Sequence, residues 1–85
     1  MPLRPQRSLK PREMFGLVLR KLRREKGYSQ EAFAYKTGFH RNYIGQLERG
    51  EKSPSLSALF TFADAFELQP SQILRRVERQ VASRS

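Results

Sequence analysis

The stretch that decides the fold is Gln30-Glu31-Ala32-Phe33-Ala34-Tyr35-Lys36-Thr37-Gly38-Phe39-His40-Arg41-Asn42-Tyr43-Ile44-Gly45-Gln46-Leu47-Glu48-Arg49. It reads as two short helices joined by a tight turn. Ser29 is the N-cap of the first, its hydroxyl placed to accept an orphan amide of the next turn. Gly38 ends that helix, because glycine takes the positive φ the turn needs. Ala34 is small enough for a second helix to cross closely, and Phe39 is expected to plug the core at the turn. The second helix, from about His40 to Arg49, carries Arg41, Asn42, Gln46 and Arg49 on one side and Ile44, Leu47 and Glu48 on the other. Arg forks onto guanine O6 and N7, and Asn or Gln pairs with adenine N6 and N7. A polar face of this kind on an apolar seat implies a helix that docks in a DNA groove.

Working outward, Arg12 to Lys26 reads as a helix, since Phe15, Val18, Leu19 and Leu22 recur at helical spacing. Arg23, Arg24 and Lys26 fall in its last turn, where cations complement the helix dipole, and Gly27 ends it. Glu51-Lys52-Ser53-Pro54 is a loop and Ser55 the next N-cap. Leu56 to Phe66 forms a fourth helix with Leu59, Phe62, Ala63 and Phe66 inward, and Leu68 is a buried loop residue. Pro70 opens a fifth helix, carrying Ile73, Leu74, Val77 and Val81. Residues 1–11 hold three of the five prolines with Arg4, Arg7 and Lys10, so they read as a flexible basic arm. The expected organisation is an arm over 1–11, one domain over 12–80 and a fraying tail over 81–85. The fold class is all-α, five compact helices with a helix-turn-helix in the second and third.

Eighty-five residues, 38% of them hydrophobic, support one small core to which dimerisation would add burial. With no cysteine, disulfides and thiolate metal sites are excluded. The N-terminus has no secretory apolar segment, and no apolar run approaches the roughly 18 residues of a membrane span; cytoplasmic location is expected. The net charge is +9, which points to a polyanion partner. Its distribution is uneven: residues 1–26 hold nine basic and two acidic side chains, residues 27–69 four and five, residues 70–85 four and one. The central motif is nearly neutral, so the basic footprint lies in the first helix and the two ends. Arg20, Lys21 and Lys52 are candidate phosphate contacts.

Three residues of the central stretch need separate treatment. Glu48 would repel DNA if it faced outward, but it lies four after Ile44 and one after Leu47, and so points inward. An inward carboxylate needs a partner; Arg20, Arg23 and Arg24 on the first helix are all available. Gly45 weakens its helix by about 0.5–1 kcal/mol relative to alanine, either for close approach to DNA or as a tolerated weakness. Tyr43 either touches a phosphate or packs beside the preceding helix. The single His40 has neither a second His nor clustered carboxylates beside it; an N-cap or phosphate role is expected, with no metal and no cofactor.

The residues Leu22-Arg23, Lys26-Gly27, Ser29-Gln30-Glu31, Phe33-Ala34, Gly38, Ile44, Leu47-Glu48-Arg49-Gly50 and Pro54-Ser55-Leu56 resemble the lambda-repressor-like, XRE-type helix-turn-helix domains of phage Cro and repressor proteins. The resemblance covers roughly residues 12–78. Ala34-Tyr35-Lys36 followed by Arg41-Asn42-Tyr43-Ile44 also resembles the small controller proteins of restriction–modification systems. The resemblance implies that Gln30 contacts a phosphate or clamps a recognition side chain. It implies that His40, Arg41, Asn42, Gln46 and Arg49 line the DNA face, and it selects Arg23 as the partner of Glu48.

The function these features imply is sequence-specific DNA binding in transcription regulation, without enzymatic activity. The expected complex is a homodimer on a (pseudo)palindromic operator, with half-sites about 34 Å apart. Leu74, Val77 and Val81 are the candidates for the dimer surface. The alternative is an antitoxin-type module that binds both a toxin and its operator.

Overall fold

The computed structural model describes residues 9–84, with side chains through residue 80. Among these residues are five helices and no strand: α1 (Pro11–Glu25), α2 (Gln30–Thr37), α3 (Arg41–Glu48), α4 (Leu56–Ala65) and α5 (Pro70–Arg84). Residues 1–8 of the expected arm and the side chain of Val81 lie outside the described residues. Pro11, read from the sequence as part of the arm, is the first residue of α1; proline's missing N–H costs nothing there.

Local signals account for the helix ends. The hydroxyls of Ser29 and Ser55 accept from the amides of Ala32 and Ala58, each at 3.0 Å. Glu13 Oε1 accepts from the Lys10 amide at 2.8 Å. Three helices end in the same way, with one residue at positive φ and the next amide reaching back five residues. After α1 and α3 that residue is Gly27 or Gly50. After α4 it is Glu67, at φ 60°, a conformation that costs a non-glycine residue roughly 1–2 kcal/mol.

The inward faces meet in one core built from Phe15, Val18, Leu19, Leu22, Phe33, Ile44, Leu47, Leu59, Phe62, Phe66 and Ile73. Phe33 and Phe66 stack at 4.9 Å and 9°, and Phe62 touches Phe15, Phe33 and Phe39. Five of the six phenylalanines thus share one ring network. Phe60 is the exception, 57% exposed on α4. Leu68 and Val77 pack partly buried against the core.

The element that positions the site is α1. It packs on α3 along one side and on α5 along another. Gly16 makes the first contact possible: a Cβ there would lie 2.4 Å from the Leu47 carbonyl oxygen and 2.7 Å from that of Glu48. The two helices therefore touch backbone to backbone at this point.

Candidate nucleic-acid interface

α3 has only eight residues, too few for a stable helix on its own. It is held in place from outside. At its C-terminal end Arg12 Nε donates to the Gly50 carbonyl at 2.8 Å. In its last turn the carbonyls of Leu47 and Glu48 meet Gly16 of α1. On its inner side Arg23 grips Glu48 with two hydrogen bonds, Nε to Oε2 at 2.6 Å and a terminal nitrogen to Oε1 at 3.0 Å. The two side chains are 8% and 4% exposed, so both charges of the pair are buried. Its remaining terminal nitrogen donates to the Tyr28 carbonyl at 2.7 Å, and Gln30 Nε2 completes the set by donating to Glu48 Oε1 at 3.0 Å. The carboxylate that looked misplaced on a DNA helix is thus neutralised inside the protein. Gln30 is committed to the same network, leaving its position at the start of α2 fixed.

With Glu48 turned inward, the opposite side of α3 is free. His40, Arg41, Asn42 and Arg49 are exposed, and Tyr43 and Gln46 are half-buried. His40 is the N-cap, its Nδ1 accepting from the Asn42 amide at 3.1 Å. The ring of Tyr43 rests on Phe39 of the turn, centroids 5.1 Å apart, rather than on α2. Gln30, Arg41, Asn42, Gly45 and Arg49 share one small hollow on this face. Gly45 forms its floor, and the Arg49 guanidinium folds over it; a Cβ at 45 would stand 3.0 Å from that group. Arg49 is held there by Glu51, Nε to Oε2 at 2.7 Å and a terminal nitrogen to Oε1 at 3.3 Å. This hydrogen bond, with the attraction between the charges, holds the Glu51 carboxyl below its ordinary pKa and raises that of Arg49.

A second hollow beside it is lined by Arg23, Arg24, Ser29, Gln30, Glu31 and Arg41. It surrounds the N-terminus of α2, where unpaired amides and the positive end of the helix favour an anion. Arg24 is a contributor that sequence reading did not assign to DNA; its adjacency to the buried Arg23, one step around α1, was the available signal. Lys52 is exposed in the loop after α3. Arg20 and Lys21 are exposed on α1, but Lys21 sits toward α5, in a hollow with Arg76 and Arg79, on the side of α1 away from α3. Of the dimer candidates, Leu74 is 47% exposed and Val77 is partly buried against the core. Leu56, 72% exposed, and Phe60, four residues later on α4, are further exposed apolar residues. Their sequence signal was their position off the Leu59, Phe62, Ala63 and Phe66 stripe. The described residues contain no group of three or more His, Cys, Asp or Glu able to hold a metal ion, and no helix long and apolar enough to cross a membrane.

Comparison with known proteins gives a consistent result. A family model described as helix-turn-helix (HTH_3) matches residues 19–73. The control protein C.BamHI of Bacillus amyloliquefaciens is 36% identical over 64 residues, covering 74% of this chain and 79% of its own. The crystal structure of the restriction-modification controller protein C.AhdI from Aeromonas hydrophila is similar with a TM-score of 0.70 and 39% identity, over 73% of this chain and 94% of that one. The clp gene regulator ClgR from Corynebacterium glutamicum is similar with a TM-score of 0.85 and 26% identity, over 91% of this chain and 82% of that one.

Proposed function

The chain belongs to this helix-turn-helix family and is a DNA-binding regulator of transcription; from that premise we propose that it reads a specific (pseudo)palindromic operator as a homodimer, in the manner of a restriction–modification controller. Each α3 enters one major groove. Arg41, Asn42, Gln46 and Arg49 meet base edges, while His40, Tyr43, Lys52 and the cations around the N-terminus of α2 meet phosphates. The observation that carries this reading is the burial of Glu48 against Arg23. It leaves α3 with an outward face free of uncompensated negative charge, on a helix braced at three points. Preorganisation of this kind spares the complex the cost of ordering its reading surface.

A homodimer needs an apolar surface on each protomer, as does the alternative in which a toxin is masked. Leu74 on α5 and Leu56 with Phe60 on α4 are available for it. The mass of the purified protein in solution separates the two: a dimer of this chain alone supports the first, and a stable complex with a second small protein the second. The working site of such a regulator is the cytoplasm, on nucleoid DNA.

The test of the whole reading is selection of binding sites from random duplexes, repeated with Arg41→Ala and Asn42→Ala. The parent should select an inverted repeat with half-sites about one helical turn apart. Each variant should lose preference at specific positions while keeping weak, salt-sensitive binding. Selection of the parent sequence by both variants would remove α3 as the reading element.

A further inference from the structure

The basic residues of α5 point away from the reading face, and their arrangement is not random. At about 100° per residue, buried Ile73 and half-buried Val77 mark the inner stripe of α5. Leu74 falls on one flank of that stripe, Gln72, Arg76 and Arg79 fall on the other, and Arg75 follows them on the outer face. The basic flank borders α1. Val18, Lys21, Arg76, Arg79 and Gln80 line one hollow at this border. Leu68, Gln72, Arg75, Arg76 and Arg79 line the next.

These hollows connect to the reading face. A third hollow on the outside of α1, lined by Leu17, Arg20, Lys21, Arg24 and Glu25, shares Lys21 with the α1–α5 border. It shares Arg24 with the hollow at the start of α2, which Arg41 also lines. A continuous basic track therefore starts at Arg41 on α3 and crosses α1 through Arg24, Arg20 and Lys21. It ends on α5 at Arg76, Arg79 and Arg75. Two carboxylates border it: Glu25 meets Arg76 at 3.5 Å, both partly exposed, and exposed Glu31 lines the hollow at the start of α2. Arg20, Lys21, Arg24, Arg75 and Arg79 have no carboxylate partner among the described residues.

We propose that the α1–α5 end of this track is a second binding site for a nucleic-acid phosphodiester backbone, separate from the major-groove contact. The backbone comes from one of two sources, the outward continuation of the bound duplex or a second duplex. The inference rests on α3 being the DNA reader, because the track begins there. Its chemistry favours phosphates over a protein. Phosphate binding asks for exposed cations at intervals, and guanidinium forks match phosphate oxygens. A protein interface asks for an aromatic or apolar centre depleted of charge. No aromatic side chain lines the track; Leu56, Phe60 and Leu74 lie off it, and Leu17, 37% exposed, is the exposed large apolar side chain that borders it.

The double variant Arg75→Ala with Arg79→Ala tests this, with Arg75→Lys and Arg79→Lys as the charge-preserving control. Both positions are exposed, and unchanged circular dichroism verifies the fold. The probe is the duplex the parent selects, first trimmed to its two half-sites and then extended by about two helical turns, roughly 20 base pairs, on each side. Affinity is measured across a salt series. Contact with the continuing duplex makes the parent steeper than the alanine variant on the extended duplex alone, by about 0.9 in log–log slope for each phosphate that the variant no longer neutralises. Contact with a second duplex makes the immobilised trimmed complex capture a labelled unrelated duplex, which the alanine variant fails to do. The lysine variant should follow the parent in whichever arm responds. A parent that selects sequence, with an alanine variant indistinguishable from it in both arms, overturns this inference alone. A parent without sequence preference overturns the reading of α3 as well.

Discussion

Replacement of Glu48 by alanine should destabilise the protein by about 3–5 kcal/mol, the usual cost of removing one partner from a buried ion pair. The structure explains why the upper part of the general range for mutations applies. Glu48 accepts three hydrogen bonds, two from Arg23 and one from Gln30. Without it the Arg23 guanidinium stays enclosed, with the Tyr28 carbonyl as its remaining acceptor. An 85-residue domain has a total stability of about 4–12 kcal/mol, so the loss is a large fraction of the whole. At about 4–8 °C per kcal/mol for a domain of this size, the melting temperature should fall by at least about 12 °C. Thermal and urea unfolding followed by circular dichroism, without DNA, measure it. Two companion variants sharpen the test. Gln30→Ala removes one hydrogen bond to a charged group and should cost about 1.5–3 kcal/mol. Arg23→Met combined with Glu48→Leu removes both charges together, and should return stability to the parent level or above it, by up to about 4 kcal/mol. A Glu48→Ala protein that melts within a few degrees of the parent would refute the reasoning. So would a double variant as unstable as the single one.

Four further outcomes follow from the geometry. Gly16→Ala places a Cβ 2.4 Å from the Leu47 carbonyl oxygen and should lower stability by about 1–3 kcal/mol through forced separation of α1 and α3, measurable by urea unfolding. Gly45→Ala meets only the movable end of Arg49; it should stabilise the fold by up to about 1 kcal/mol while weakening or changing sequence preference in a selection experiment, because Arg49 is displaced. Glu67→Gly relieves a side chain held at φ 60° and should raise stability by about 0.5–1 kcal/mol after glycine's own entropic cost, read as a higher melting temperature. The Glu51 carboxyl, lowered by its hydrogen bond from Arg49, contributes its pairing above the ordinary carboxylate pKa and loses it only as pH falls through the lowered value; an NMR titration should place its midpoint below that of the Arg49→Ala variant.

Much of the fold was legible because its signals are short. Ser29 and Ser55 cap helices by bonding to amides three residues away, and Gly27, Gly38 and Gly50 end them through their own φ. The stripe of Phe15, Val18, Leu19 and Leu22 needed no partner to be recognised. The inward direction of Glu48 was equally readable, since helical spacing alone puts it beside Leu47. What spacing left open was the partner. Arg20, Arg23 and Arg24 are all within one turn of each other, and the resemblance rather than the residues chose Arg23. The fold provides the physical reason: Arg23 lies two turns along α1 from Gly16, on the side where the two helices touch. Lys21 falls on the other side of α1 and is drawn toward α5 instead of the reading face.

The sequence by itself determined the five helices, the ends marked by caps and glycines, the inward stripe of each, and the polar face of α3. These depend on propensities and interactions within one or two turns of the chain. The start of α1 at Pro11 and the run of α5 to Arg84 read from the sequence as arm and tail. The tertiary structure alone decided how α1 crosses α3, and with it three things. Gly16 became the point where the two backbones meet, Arg23 became the partner of Glu48, and the basic residues of α1 and α5 joined into one track. Such outcomes depend on the angle and depth at which helices pack. Those are set by the fit of the whole core, to which no single stretch of residues holds the key.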